Sequence, residues 1–217
     1  MGWLGRSLQF VALGVAWACV ASSSGCARLR EGAGNVASTP AKAAPPAARE
    51  DGRLPPTAIP KHYSLALDID PTQPRFSGTT TIDVDVPEPT SYVILNARDM
   101  HVVRAVATAA GAGPQRVLTA VATQRPSHAS TDVDELVLEF PEPLQAGGVE
   151  VVIDYDAPFA ADLSGLYRVE ENARFYAYTQ FEATDARRAF PCFDEPSFKT
   201  PYDVTISSPQ GAIALSN

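Results

Sequence analysis

From Ile59 onward, apolar and polar positions alternate with a period of two. In "HYSLALDID", Tyr63, Leu65, Leu67 and Ile69 fall on one face, and His62, Ser64, Asp68 and Asp70 on the other. "FSGTTTIDVDV" repeats the pattern, with Ile82, Val84 and Val86 set against Thr81, Asp83 and Asp85. The breaks "PTQP", "PEP", "GAGP" and "PEPLQAGG" are rich in Pro and Gly and separate one run from the next. The remaining strand candidates are Tyr92–Asn96, Val102–Thr108, Val117–Thr123, Glu135–Phe140, Val149–Tyr155, Arg174–Phe181 and Tyr202–Ser207. Helical turns are expected only around Ala183–Ala189 and Ala160–Leu163. Many short strands, each with one apolar face, specify antiparallel sheets packed as a sandwich. The predicted fold class is therefore all-β, an antiparallel β-sandwich forming one domain over residues 56–217. Its last segment, "YDVTISSPQGAIALSN", opens a strand, turns at Pro209-Gln210-Gly211 and starts another run at Ala212. That run stops before pairing, so the domain is expected to lack its last strands, because an unfinished strand leaves backbone groups unpaired at a sheet edge.

The N-terminal quarter has no such alternation. Leu8–Val20, "LQFVALGVAWACV", is continuously apolar, follows Arg6 and precedes the small residues of "ASSSGC". This run is shorter than the roughly 20 residues of a spanning helix and has the layout of an export signal over residues 1–25. Ser24-Gly25-Cys26 is similar to the end of a bacterial lipobox, although Ser23 stands where Leu is usual. On that reading Cys26 is lipidated and anchors the chain to a membrane of the bacterial envelope. Cleavage after Ala21 or Ser23 would instead yield a soluble secreted or periplasmic protein. Residues 26–55, which include "NVASTPAKAAPPAAREDGRLPP", carry no periodic apolar pattern and are expected to form a flexible tether.

Composition narrows the partners. The net charge of −8 and a pI near 4.8 exclude nucleic acid, which needs a basic stripe to displace counterions from phosphates. The three cysteines, Cys19, Cys26 and Cys192, are too few for a disulfide framework. Charge concentrates in "YTQFEATDARRAFPCFDEPSFKTPYDV", Tyr178–Val204. If the strand beginning at Arg174 runs on to Glu182, Gln180 and Glu182 share a face about 6.5–7 Å apart. Spacing alone favours an ordinary exposed polar face for such a pair over a cleft wall that receives a positive group. After it, Thr184 is a candidate N-cap, Asp185 favours the positive helix end, and Pro191 stops the turn. Asp194 and Glu195 are placed to pair with Arg187 and Arg188. Composition reads "DARRAFPCFDEP" as a stiff structural corner, with Cys192 a buried thiol.

The same stretch, "TQFEATDARRAFPCFDEPSFK", closely resembles the signature near the end of the first domain in the aminopeptidase N family of zinc metallopeptidases. The resemblance extends through "GLYR", "LNARDM", "PKHYSLALDID" and "ALSN", and covers about residues 55–217. It implies a β-rich, saddle-like N-terminal domain that precedes a thermolysin-like catalytic domain. It also implies that Glu182 holds the free α-amino group of a peptide substrate, while Gln180 lines the pocket for the first side chain. A carboxylate receiving an ammonium is a charge-assisted contact worth about 1.5–3 kcal/mol, and it selects peptides with a free N-terminus.

The zinc chemistry of that family uses H-E-x-x-H on a helix with a further Glu, a G-A-M-E-N loop and a Tyr at the oxyanion. None of these motifs occurs here, and His62, His101 and His128 are far apart in the sequence. The chain alone is expected to hold no zinc or other cofactor and to have no catalytic residues. Three readings stay open. The first is the N-terminal domain of an envelope-anchored zinc aminopeptidase, cut before its catalytic domain. The second is a stand-alone, non-catalytic lipoprotein that binds peptides or other partners. The third is a subunit that completes a separately encoded catalytic chain.

Overall fold

A computed structural model describes residues 43–109, 116–127 and 132–216. The expected signal segment 1–25, Cys26, the first part of the expected tether and His128 lie outside the described residues. Eleven strands follow one another among the described residues. They are β1 (Ile59–Asp68), β2 (Arg75–Val86), β3 (Thr90–Asn96), β4 (His101–Ala109), β5 (Val117–Thr119) and β6 (Val121–Pro126). Then come β7 (Val133–Leu144), β8 (Gly147–Pro158), β9 (Gly165–Glu171), β10 (Arg174–Gln180) and β11 (Tyr202–Ser207). One 3-10 turn, Ala186–Arg188, interrupts the β pattern.

Six strands form one sheet in the order β11-β1-β2-β8-β4-β5, and three form a second in the order β3-β7-β6. All pairs are antiparallel except β1 with β11. That parallel pairing needs a long crossover connection, which the chain between Asp68 and Tyr202 provides. Sheet against sheet, the alternation of β1, β2 and β8 buries Leu65, Ile82, Val84, Val151 and Ile153. From the second sheet come Val93, Leu95, Leu136, Leu138 and Phe140, each 0 % exposed. Burial of each such aliphatic or aromatic side chain contributes about 1.5–3 kcal/mol. The all-β sandwich is thus the observed fold.

Ala160–Leu163 forms no helical turn, and β7 runs on through Pro141–Leu144, where the sequence predicts a break. Three larger features also differ from the sequence pattern. The run Val117–Thr123 is two strands, since β5 pairs with β4 in the first sheet and β6 with β7 in the second. The chain changes sheets at Ala120, whose N–H donates to the Ala105 carbonyl at 2.9 Å. β9 is an additional strand that pairs with β10 as a separate two-stranded hairpin. Finally, ordered packing begins before residue 56. Leu54 is buried, and its N–H donates to the Glu195 carboxylate at 2.6 Å. Ser91 Oγ donates to the Ala43 carbonyl and the Arg125 guanidinium to that of Pro46. Residues 43–55 therefore lie along the domain. Their Pro-rich backbone is short of donors, and side chains of the sheet satisfy its carbonyls.

Candidate functional site

β10 ends at one of the two residues singled out from the sequence, Gln180, and Glu182 follows in the turn beyond it. It pairs with β9 in the register Tyr176↔Val169, Tyr178↔Tyr167 and Gln180↔Gly165. The strand ends at Gln180, and the backbone turns directly after Glu182, whose peptide bond to Ala183 is cis. Phe181, between the two polar residues, is half-buried and packs edge-on against buried Phe190, with ring centroids 5.8 Å apart. Anchoring of this central side chain leaves Gln180 and Glu182, one on each side of it, exposed to solvent. Neither side chain has a hydrogen-bond or ion-pair partner among the described residues.

The wall behind them is rigid for reasons that can be named. The Asp185 N–H donates to the Phe181 carbonyl at 3.0 Å, tying the strand end to the 3-10 turn. Asp185, not Thr184, occupies the N-cap position, and no side chain caps the turn. Two tyrosines reach from the six-stranded sheet into the following corner. Tyr155 Oη donates to the Ala189 carbonyl, and Tyr63 Oη accepts the Phe193 N–H, both at 2.9 Å. Burial pushes both phenols above the ordinary tyrosine range, so they stay neutral and can serve as fixed hydrogen-bonding groups. Between them, Cys192 forms an antiparallel bridge with Asn96 at the free edge of β3. The Asn96 side-chain oxygen accepts the Asp194 N–H at 3.0 Å.

Charge pairing fixes the corner from the other side. Arg187 donates to Asp194 at 2.9 Å, as the sequence suggested, and lies 3.4 Å from Asp134. Asp134, 5 % exposed at its side chain, also receives Arg98 at 2.6 Å. Arg188 turns instead to Asp162, at 2.7 Å, and to Asp185, at 3.2 Å. Glu195, expected to pair with an arginine, accepts the Leu54 N–H. Gly165, at the start of β9, has φ +68°, and a β-carbon there would sit 2.6 Å from the Arg188 β-carbon. The hairpin and the 3-10 turn therefore meet at a glycine that admits no side chain. Cys192 is buried, and that burial pushes its thiol well above the usual cysteine range. A protonated thiol in such a place is inert.

No three His, Cys, Asp or Glu side chains come together at metal-binding range among the described residues. His62 lies 3.1 Å from Asp203, and His101 lies 2.7 Å from Asp156. Nor is any helix among the described residues long and apolar enough to cross a membrane.

The model of the peptidase M1 N-terminal domain matches residues 59–217. The chain belongs to this family. It is 36% identical over 173 residues to aminopeptidase M1-C of Oryza sativa subsp. japonica, covering 78% of this chain and 19% of that protein. Against endoplasmic reticulum aminopeptidase 1 of Homo sapiens it is 36% identical over 171 residues, 76% of this chain and 18% of that protein. Against aminopeptidase N of Acetobacter pasteurianus the figures are 33% over 174 residues, 78% and 46%. This M1 N-terminal domain thus spans a minor part of relatives that are aminopeptidases. The hairpin with Gln180 and Glu182, and the corner that supports it, both fall inside the matched segment.

The sequence pattern sets Gln180 and Glu182 on one face of a strand running to Glu182, whereas the strand ends at Gln180 and both residues are exposed. Phe181, Gly165 and Tyr63 lie inside the segments that carry the resemblance but have no role assigned by it, and Tyr155 and Asp134 lie outside them. Only the left-handed turn that a glycine permits before a strand could have marked Gly165.

Proposed function

We propose that this chain is the substrate-amine-binding domain of an aminopeptidase, in which Glu182 holds the free α-amino group and Gln180 borders the first side chain. The observation that carries the reading is the half-buried Phe181 packed on Phe190, with an exposed, unpartnered carboxamide just before it in the chain and an exposed, unpartnered carboxylate just after it. Solvent-facing groups without internal partners lose little protein bonding when a ligand engages them. The ammonium of a peptide N-terminus supplies up to three donors for the Glu182 oxygens. Holding that group fixes the peptide one residue from its end, which is the positioning that removal of single N-terminal residues requires. Zinc, implied by the resemblance, finds no converging ligand set among the described residues. No chemical step is assigned to this chain, and the hydrolytic machinery belongs to a catalytic domain joined to it.

The test uses a polypeptide in which this domain is joined to an M1 catalytic domain. Glu182→Ala is expected to raise KM for peptides with free amino termini and to lower kcat/KM about 10-fold or more, as loss of a charge-assisted contact requires. An unchanged kcat/KM refutes the role of Glu182. Export and anchoring through a lipidated Cys26 complete the proposal, on the strength of the Leu8–Cys26 sequence. Cys26→Ser is then expected to move the protein from the membrane fraction to the soluble one. Equal partition of both forms refutes the anchor.

A further inference from the structure

The exposed face of the hairpin continues past Gln180 into an aromatic surface. Tyr178 lies two residues before Gln180, about 6.5–7 Å further along the strand on the same face. It stacks on its cross-strand partner Tyr167, with centroids 5.8 Å apart and planes 29° from parallel. Stacking fixes the ring, yet Tyr178 stays 50% exposed. The next residue on that face, Tyr176, is also exposed and lies opposite Val169, so no charge occurs there before the Glu171–Arg174 pair. The opposite face of the same hairpin shows what such rings do. There the Arg168 guanidinium lies 5.3 Å from the Phe175 centroid and 5.9 Å from that of Phe159. The Tyr167–Tyr178 pair offers an equivalent π surface with no cation over it among the described residues.

We propose that Tyr178, braced by Tyr167, is a specificity-determining shelf for substrates whose first side chain is long and cationic, arginine or lysine. This rests on the reading of Glu182 as the amine-binding carboxylate. With the amine held at Glu182, the first side chain runs back along Gln180 toward Tyr178, and only the longest side chains reach the ring. A guanidinium or ammonium over the Tyr178 face gains a cation–π contact, and the carboxamide of Gln180 can accept a hydrogen bond on the way. Short first residues such as alanine end before the shelf and gain nothing from it.

The experiment measures kcat/KM in the joined polypeptide for fluorogenic amides of arginine, lysine, leucine and alanine. Tyr178→Ala is expected to lower the Arg:Ala and Lys:Ala ratios about 3- to 10-fold, the range of a partly desolvated cation–π contact. Tyr178→Phe keeps both ratios close to wild type, and Tyr178→Leu lowers them while preserving packing. Glu182→Ala is measured beside these variants and is expected to depress all four substrates together, leaving the ratios intact. An unchanged Arg:Ala ratio in Tyr178→Ala and Tyr178→Leu, with Glu182→Ala crippled on every substrate, overturns the shelf alone. Equal losses for leucine and arginine overturn its cationic selectivity. Full activity of Glu182→Ala on all four substrates overturns the amine site and the shelf together.

Discussion

At the scale of single residues, the corner behind the site depends on charges withdrawn from water. Asp134 is a carboxylate with little exposure, approached by Arg98 and by Arg187, and Arg187 also binds Asp194. Such a group is costly to bury alone, and removal of one partner leaves an uncompensated charge. Arg187→Ala should therefore cost about 3–5 kcal/mol of folding stability, the usual cost of breaking a buried pair from one side. Urea unfolding followed by circular dichroism measures it, and a loss below about 1 kcal/mol would show that Arg98 alone satisfies Asp134. Arg187→Lys should fall between, because an ammonium cannot reproduce the planar fork that reaches two carboxylates at once. The sequence revealed only part of this. The Arg187–Asp194 pair spans seven residues and was visible as local charge alternation. Asp134 lies 36 residues from Arg98 and 53 from Arg187, and nothing local in the chain announces that meeting.

Among elements, the hairpin and the 3-10 turn work as one unit because Gly165 lets them touch. The backbone at Gly165 lies in the left-handed region, and the space a β-carbon would fill is held by the Arg188 stem. Gly165→Ala adds both a backbone penalty and a clash. The expected result is a loss of about 1–3 kcal/mol, together with loosening of β9 against the turn. Hydrogen exchange should show it as faster exchange at the Asp185 and Arg188 amides, with the core of β2 and β8 unchanged. Protection of those amides equal to wild type would mean the contact is dispensable. Legibility of the elements follows how each is buried. β1, β2 and β8 have one wet and one dry face, and period two exposed them directly. β9 was missed because its "GLYRVEE" buries only Gly165 and Leu166 and has no dry face to alternate with. The break between β5 and β6 was missed because the chain changes sheets at Ala120 with no Gly or Pro to mark it. The exposure of Gln180 and Glu182 does not come from alternation, since β10 is exposed at every residue but Ala177, and Phe181 just beyond it is only half-buried.

Across the whole molecule, the net charge of −8 would suggest a surface repelled by itself, yet the outer side of the six-stranded sheet is neutralised strand by strand. Arg75 and His101 flank Asp156, at 2.6 and 2.7 Å. Arg104 and Thr79 donate to Asp154, at 2.7 and 2.8 Å. The hydrogen bond from His101, helped by Arg75 and opposed by partial burial, holds the Asp156 carboxyl below the usual aspartate range. At Asp154 partial burial pushes upward, and the bonds from Arg104 and Thr79 outweigh it, so its value is lowered too. A carboxyl whose folded value is depressed binds fewer protons folded than unfolded near that value. Its contribution is therefore present above the ordinary aspartate value of 3.8 and is lost as pH falls through the depressed folded value. Both groups are partly solvated, so each pair is discounted to about 0.2–1 kcal/mol. The double substitution Asp154→Asn with Asp156→Asn should lower Tm by a few degrees at pH 7. The gap from wild type should close as the pH is lowered past 3.8 and through the depressed folded values, because wild type then loses by protonation what the variant has lost by substitution. A gap of constant size across that range would mean that the two carboxylates act through shape rather than charge. A gap that closes only on adding salt at pH 7 would place their effect in the long-range field of the acidic surface rather than in these hydrogen bonds.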